Sequence, residues 1–344
     1  MAKLMRVCAP LAALYFSSSA FAQGSLDRVH RLNGVDSGKI SAITPLGITI
    51  TKGGVDSTIS VEDVTSVQFA GEPGELATAR NALQAGRPQE ALDLLVELST
   101  SDISREEILA DVEFYTVLAK ADLALAGQAA PDAAAADVRS FMARRNKSFH
   151  IPQGLELLGD LLTADGQYAN ARNEYAKLAK ARSKFFELKS ALLVGRAWQA
   201  EGDHAEALAE FDAVLASPER GQRMDPIRLA ATLDRAVSQA ASGKVNESAA
   251  AIGEIIAKAS AEDGTLLARA YNALGDCYLQ SGDNRGALYS FLHVDLLYNQ
   301  EADAHAKALH ELTKLWKAVG RDSRGQEAAQ ELADKYPNSR WARK

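Results

Sequence analysis

The sequence predicts a mostly α-helical chain, a solenoid of helical hairpins preceded by a small all-β module. Three observations predict it. Glycines that read as turn positions recur at Gly86, Gly127, Gly166, Gly202, Gly243, Gly282 and Gly320, with gaps of 41, 39, 36, 41, 39 and 38 residues. Such a recurrence marks stacked supersecondary units. The hydrophobic period is two between Leu26 and Gly71 and helical from Glu75 onward. The composition is 47% hydrophobic but only 6% aromatic, with alanine abundant, which suits helices that approach closely, alanine being the best helix former.

Taken in order, the first 22 residues read as a secretory signal peptide. Lys3 and Arg6 make a short positive region, Val7 to Phe16 an apolar run, and Ala20-Phe21-Ala22 a small-x-small cleavage site. A retained anchor is the competing reading, but Ser17 to Ser19 and Gln23-Gly24 dilute the stretch below the ~20 apolar residues a spanning helix needs. Cleavage removes Cys8 and leaves Cys277 as a lone thiol, which reads as a small core residue. An exported chain with no internal disulfide fits a bacterial envelope, so the expected location is periplasmic or extracellular, with no integral span once the signal is removed. The formal charge of −7 argues against nucleic acid as principal partner, since phosphate binding needs a basic footprint.

Residues 23–71 form the expected β module. Candidate strands are Arg28 to Leu32, Lys39 to Thr44, Ile48 to Thr51, Ser57 to Val61 and Ser66 to Phe69, with turns at Pro45-Leu46-Gly47 and Lys52-Gly53-Gly54. Short strands so closely spaced suggest an SH3-like or Sm-like barrel. It lacks a basic stripe, and Phe69 is its only aromatic residue, so capping the helical array is at least as natural a role as binding a ligand.

Residues 75–344 hold about seven helical hairpins. Five residues after most turn glycines comes a small residue: Ala91, Ala171, Ala207, Ser248, Ala287 or Gly325. Four further on comes a space-filling one: Leu95, Tyr175, Phe211, Ile252 or Phe291. Before the turn stand Leu158-Gly159, Val194-Gly195 and Leu274-Gly275. Small residues let paired helices approach, and the bulky ones are expected to lock into the next unit. The second unit departs from this: Pro131-Asp132-Ala133 to Ala136 reads as an insertion without a bulky lock.

The segments GDCYLQSGDNRGALYSF, GRAWQAEGDHAEALAEF and GDLLTADGQYANARNEY resemble the Gly-x-x-Tyr, Gly-Asp and Ala-x-x-x-Phe pattern of the tetratricopeptide repeat family. The resemblance covers residues 75 to 344 and implies a right-handed α-solenoid. The gaps exceed the usual ~34-residue period, so longer helices or extra turns are expected. The closing ELADKYPNSRWARK is similar to the Tyr-Pro-x-Ser-x-Trp-Ala close of exported envelope members.

No motif carries catalysis. The chain has no glycine-rich phosphate loop, Cys-x-x-Cys, His-Glu-x-x-His or Gly-x-Ser-x-Gly elbow, so neither a cofactor nor a metal is expected. His305 and His310 lie five apart, off the three-or-four spacing of a ligand pair; His204 falls in a turn and His293 in a packed helix. The carboxylates read as solvated, and no acid/base pair stands out. By the family resemblance the first helix of each unit lines a concave groove, which would place Arg196, Gln199, Asn272, Asp276, Lys314 and Lys317 there. A second candidate is a basic stretch, Arg139 to Lys189, with ten basic against five acidic residues. Arg144 and Arg145 are its densest point and could attract an acidic partner or an anionic envelope surface.

The resulting expectation is a non-catalytic protein-protein interaction scaffold or adaptor in the cell envelope that binds a partner peptide or protein in its groove. The alternative is a peptidoglycan- or saccharide-associated protein that binds through the β module.

Overall fold

The computed structural model describes residues 26–343; the expected signal peptide lies outside the described residues. Five strands, β1 (Asp27–Arg31), β2 (Gly34–Thr44), β3 (Gly47–Lys52), β4 (Val55–Ser60) and β5 (Val64–Gln68), form one antiparallel sheet of order β4-β3-β2-β1-β5. A 3-10 turn, Val61–Asp63, carries the chain from β4 to β5, which pairs with β1 at the other edge of the sheet. Val61 belongs to this turn rather than to the fourth strand. The second strand begins at Gly34, five residues before the expected Lys39: its first half pairs with β1 and its second half with β3. Gly38 marks the crossover, where a Cβ would collide with the Ile50 side chain and stand 2.7 Å from the Thr51 carbonyl oxygen. The glycine that permits this close approach is also what dilutes the strand pattern.

Fourteen helices follow among the described residues. They are α1 (Gly74–Gln84), α2 (Pro88–Glu97), α3 (Glu106–Leu125), α4 (Pro131–Arg144), α5 (Ile151–Ala164), α6 (Tyr168–Ala176), α7 (Lys184–Glu201), α8 (His204–Ala216), α9 (Met224–Ala241), α10 (Val245–Lys258), α11 (Gly264–Gln280), α12 (Asn284–Leu297), α13 (Ala302–Ala318) and α14 (Asp322–Lys335). Each helix packs on its sequence neighbours, and α3 with α5, α7 with α9, α9 with α11 and α11 with α13 also touch. The odd-numbered helices therefore form one wall of the stack. All seven turn glycines have positive φ, from 69° to 100°. At Gly202 the left-handed residue lets its N–H bond the Trp198 carbonyl at 3.1 Å and end α7.

The small and bulky residues meet inside each hairpin. The Phe211 ring lies over Gly195, where a Cβ would stand 2.6 Å from it, and Phe291 covers Gly275 at 2.7 Å; Tyr175 covers Gly159 in the same way. This corrects the expectation of a lock into the next unit: each ring fills the notch that its own hairpin's glycine leaves. The supposed insertion at Pro131 is the first turn of α4, where proline at N1 needs no donor. That hairpin has its own bulky residue, the fully buried Phe141, whose ring lies 5.4 Å from that of Phe114.

One hydrophobic core runs from Val29 in the sheet to Ala197 in α7, and three smaller clusters fill the rest of the stack. The β module does more than cap the first hairpin. Its turn reaches along the stack, with Ser183 donating to Glu62 and Arg223 paired with Asp63. At its base the buried Asp27 accepts from the amides of Ile40 and Ala70, both at 2.8 Å, and from Arg105 Nη1 at 2.7 Å. Burial works to raise the Asp27 carboxyl, but Arg105 and the two amides outweigh it and hold it below the usual value.

Candidate functional site

The odd-helix wall borders a groove of about 650 Å³ lined mainly from α5, α7, α9, α11 and α13, with residues of α3, α4, α6 and α8 and the segment after α14 at its edges. Its floor is a ladder of opposite charges. Asp234, 2% exposed, takes Arg196 Nε on Oδ2 at 2.7 Å and Arg269 Nη2 on Oδ1. Burial draws the Arg269 guanidinium below its ordinary value even with Asp234 beside it. One hairpin further along the same wall Asp276 pairs with Lys307. These partners stand about one repeat apart, 38, 35 and 31 residues in sequence, so each rung ties one hairpin to the next. At the other end Asp160 accepts from the Tyr175 hydroxyl at 2.6 Å, and burial raises its carboxyl to about 6. The ladder thus has cations (Arg196, Arg269, Lys307) and carboxylates (Asp160, Asp234, Asp276) in alternation, in a space too wide for its own side chains to fill.

Four of the residues expected in the groove line it: Arg196, Gln199, Asn272 and Asp276. Gln199 Nε2 donates to the Asp234 carbonyl at 2.7 Å and to Ser238 Oγ at 2.8 Å. Asn272, 4% exposed, donates to the Ala304 carbonyl at 2.9 Å, while its Oδ1 is buried without a partner. Lys314 and Lys317 sit on α13 outside this cavity: Lys314 stands 3.5 Å from Glu311, and Lys317 lies against Gly325 of α14. Arg144 and Arg145 are apart from it too. Arg145 bonds Glu113 at 2.6 Å and Glu106 at 2.5 Å, and Arg144 stands 3.6 Å from Glu113. This pairing holds the Glu113 carboxyl below its usual value. Arg172, Lys177, Lys184 and Lys189 of the same basic stretch are likewise paired with glutamates, so much of its charge is neutralised locally.

The expectation that the carboxylates are solvated fails at Asp27, Asp111 and Asp234, all 2% exposed or less. Each is buried against a basic partner, Asp111 against His150 at 2.9 Å. His293, expected in a packed position, is exposed and stacks on Tyr271 with ring centroids 4.4 Å apart. His305 does lie near two carboxylates, Asp295 and Glu331, whose ligand atoms come within 4.8 Å of one another. Its ring is already engaged, by the Tyr336 hydroxyl at 2.7 Å and Asp295 at 2.9 Å, and Glu331 holds Lys335 at 2.7 Å. Cys277 is buried, and burial pushes its thiol up to about 11, as for a packing residue.

Asp234, Arg269, Asp303 and Lys307 do not stand out in the sequence as single residues. The signal for them is the recurrence of opposite charges at the repeat interval on the first helices.

No family model matches the chain, and no curated protein does. Solved structures do. A tetratricopeptide repeat protein from Parabacteroides merdae is 16% identical, covers 76% of this chain and 91% of its own, and superposes with a TM-score of 0.50. The Rap protein complexed with Competence and Sporulation Factor is 12% identical over 78% of this chain and 76% of its own, with a TM-score of 0.52. NprR in complex with its cognate peptide NprX is 16% identical over 76% of this chain and 77% of its own, with a TM-score of 0.51. At such low identity the likeness speaks for architecture: the helical region of this chain has the tetratricopeptide-repeat-like fold.

Proposed function

We propose that this protein is a non-catalytic interaction scaffold that binds an extended segment of a partner peptide or protein along its concave groove. The carrying observation is the groove itself, a space of about 650 Å³ walled mainly by the odd-numbered helices from α5 to α13 and floored by alternating fixed charges. A peptide backbone brings donors and acceptors in alternation, and a rigid wall of that kind lets it bind without reordering the host. Of the proteins similar in fold, Rap was solved complexed with Competence and Sporulation Factor and NprR in complex with its cognate peptide NprX. The ladder carries both signs of charge close together, which favours a partner of mixed or little charge over a strongly acidic one.

The envelope setting is part of the proposal and rests on the signal-peptide reading of residues 1–22. No helix among the described residues is long and apolar enough to cross a membrane. The β module offers a saccharide no exposed stacking ring among its described residues: Phe69, its only Phe, Tyr or Trp, is 2% exposed and lies beneath Arg105.

The test is to fill the groove without touching the ladder. Ala200 lines it from the C-terminal turn of α7, and Ala200→Trp should abolish capture of partners by in-cell cross-linking and mass spectrometry while leaving the melting temperature unchanged. Undiminished capture would overturn the groove as the binding surface. Mass spectrometry of the exported protein should find Gln23 as the first residue.

A further inference from the structure

The segment that follows α14 does not extend the stack; it crosses the groove. Asn338 donates its N–H to the Gly127 carbonyl at 2.8 Å, in the turn between α3 and α4. Ser339 packs so closely there that a Cβ on Gly127 would stand 2.9 Å from its own. Arg343 reaches the Ala164 carbonyl at 3.4 Å, at the end of α5. Between these anchors the segment holds α13: Arg340 Nη2 bonds Asp303 Oδ2 at 2.8 Å, and Trp341 Nε1 donates to Asp303 Oδ1 at 2.9 Å. Lys307 Nζ stands 5.8 Å from the centroid of the Trp341 ring. One short strap thereby connects helices at opposite ends of the arc, and it forms one side of the cavity.

The strap is built to be exchanged. Apart from Trp341, which packs against the last apolar cluster, its contacts are hydrogen bonds and ion pairs, and Asp303, its main anchor, keeps 56% of its side chain exposed, where an ion pair contributes little. Two groups in the cavity wall are buried and unsatisfied, the acceptor Asn272 Oδ1 and the donor Arg340 Nε, each costly to leave unpaired. A peptide amide offers the complement of the first.

We propose that the strap is a self-ligand. It occupies part of the groove as a run of turns that presents a cation followed by an aromatic residue, and the partner is a peptide of the same cation-aromatic chemistry that takes over Asp303 and opens the arc. This inference rests on the groove being the binding surface.

The test uses the full chain and a fluorescein-labelled synthetic peptide of sequence Asn-Ser-Arg-Trp-Ala-Arg. With the strap released by Arg340→Ala and Trp341→Ala, anisotropy should show binding about tenfold tighter than to the unmodified chain, the factor expected if the strap closes the site about nine-tenths of the time. Asp303→Asn in the released chain should remove that gain, and a peptide with alanines for its Arg-Trp pair should not bind. Equal affinity for released and unmodified chains, or a tenfold gain that survives Asp303→Asn, would overturn the proposal. Should the released chain melt early, hydrogen exchange on the unmodified chain decides the same point: saturating peptide should speed exchange at the Asn338 amide, and unchanged protection overturns the strap. Loss of partner capture in Ala200→Trp together with no peptide binding sinks the strap and spares the groove. Peptide binding with capture unaffected in Ala200→Trp does the reverse.

Discussion

The two ends of the molecule are held together differently. The β module and the first hairpins share a single apolar core that runs unbroken from Val29 to Ala197, with the Asp27 and Arg105 pair at its base. From α7 onward the core divides into three clusters, each reaching from one hairpin into the next, and polar rungs, from Asp234 with Arg196 and Arg269 to Asp276 with Lys307, add to the connection between hairpins. Apolar cores resist shear because any slip opens voids, whereas a ladder of charges keeps its geometry and still offers polar groups to a ligand. In the proposed function the first region is mainly a base, and the second carries most of the binding surface. In a repeat array, where each unit contacts only its neighbours, that division lets the surface open without unfolding the base.

The comparison predicts where damage should spread. Phe291→Ala removes the ring over Gly275 and should cost about 3–5 kcal/mol, with hydrogen exchange accelerated in α11 to α14 and unchanged in α1 to α5. Global acceleration would show that the two regions are one cooperative unit.

Next in size, Asp27→Ala strands the part-buried Arg105 and should cost about 2–3 kcal/mol, loosening the β module together with α3. Because the folded Asp27 carboxyl lies below its unfolded value, its stabilisation is present above the ordinary carboxylate range and is lost as pH falls through the lowered pKa. Urea midpoints of the wild type and the variant should therefore converge in acid.

Gly202→Ala forces a side chain into the left-handed turn of the working region and should cost about 1–2 kcal/mol, read as a lower melting temperature.

Asp160 runs the opposite way from Asp27. With its carboxyl raised to about 6, the stability it contributes is full below about 4, its unfolded value, and is lost as pH rises through 6. Asp160→Asn should remove that decline and gain up to about 2–3 kcal/mol at pH 7; an unchanged pH profile would show that Asp160 does not carry it.

The smallest effect sharpens the contrast between surfaces. Lys314→Ala with Lys317→Ala should leave partner affinity within about twofold, a change under half a kcal/mol, because both stand outside the groove.

Much of this architecture is legible in the residues. The turn glycines and the small-then-bulky pairs mark the hairpins because both answer to local backbone and packing rules, and Gly275 with Phe291 shows how directly. Arg196, Gln199, Asn272 and Asp276 fall in the groove by their matching positions on the first helices. What stays hidden depends on the superhelix. Whether Lys314 faces inward is set by the rotation of the last hairpin. Arg340 and Trp341, which read as a stop to the repeat, become part of the site only because the arc brings Gly127 and Ala164 within reach of their segment. The buried Asp234 looks like any helical carboxylate until the repeat spacing puts two arginines on it.

The most direct measurement of the central claim is site-specific photo-cross-linking in intact cells, with the cross-linker placed in turn at Ala200 and His204, which line the groove, and at Lys314 outside it. The account predicts a shared partner adduct from Ala200 and His204 and none from Lys314. An adduct from Lys314 with none from either groove position would contradict it.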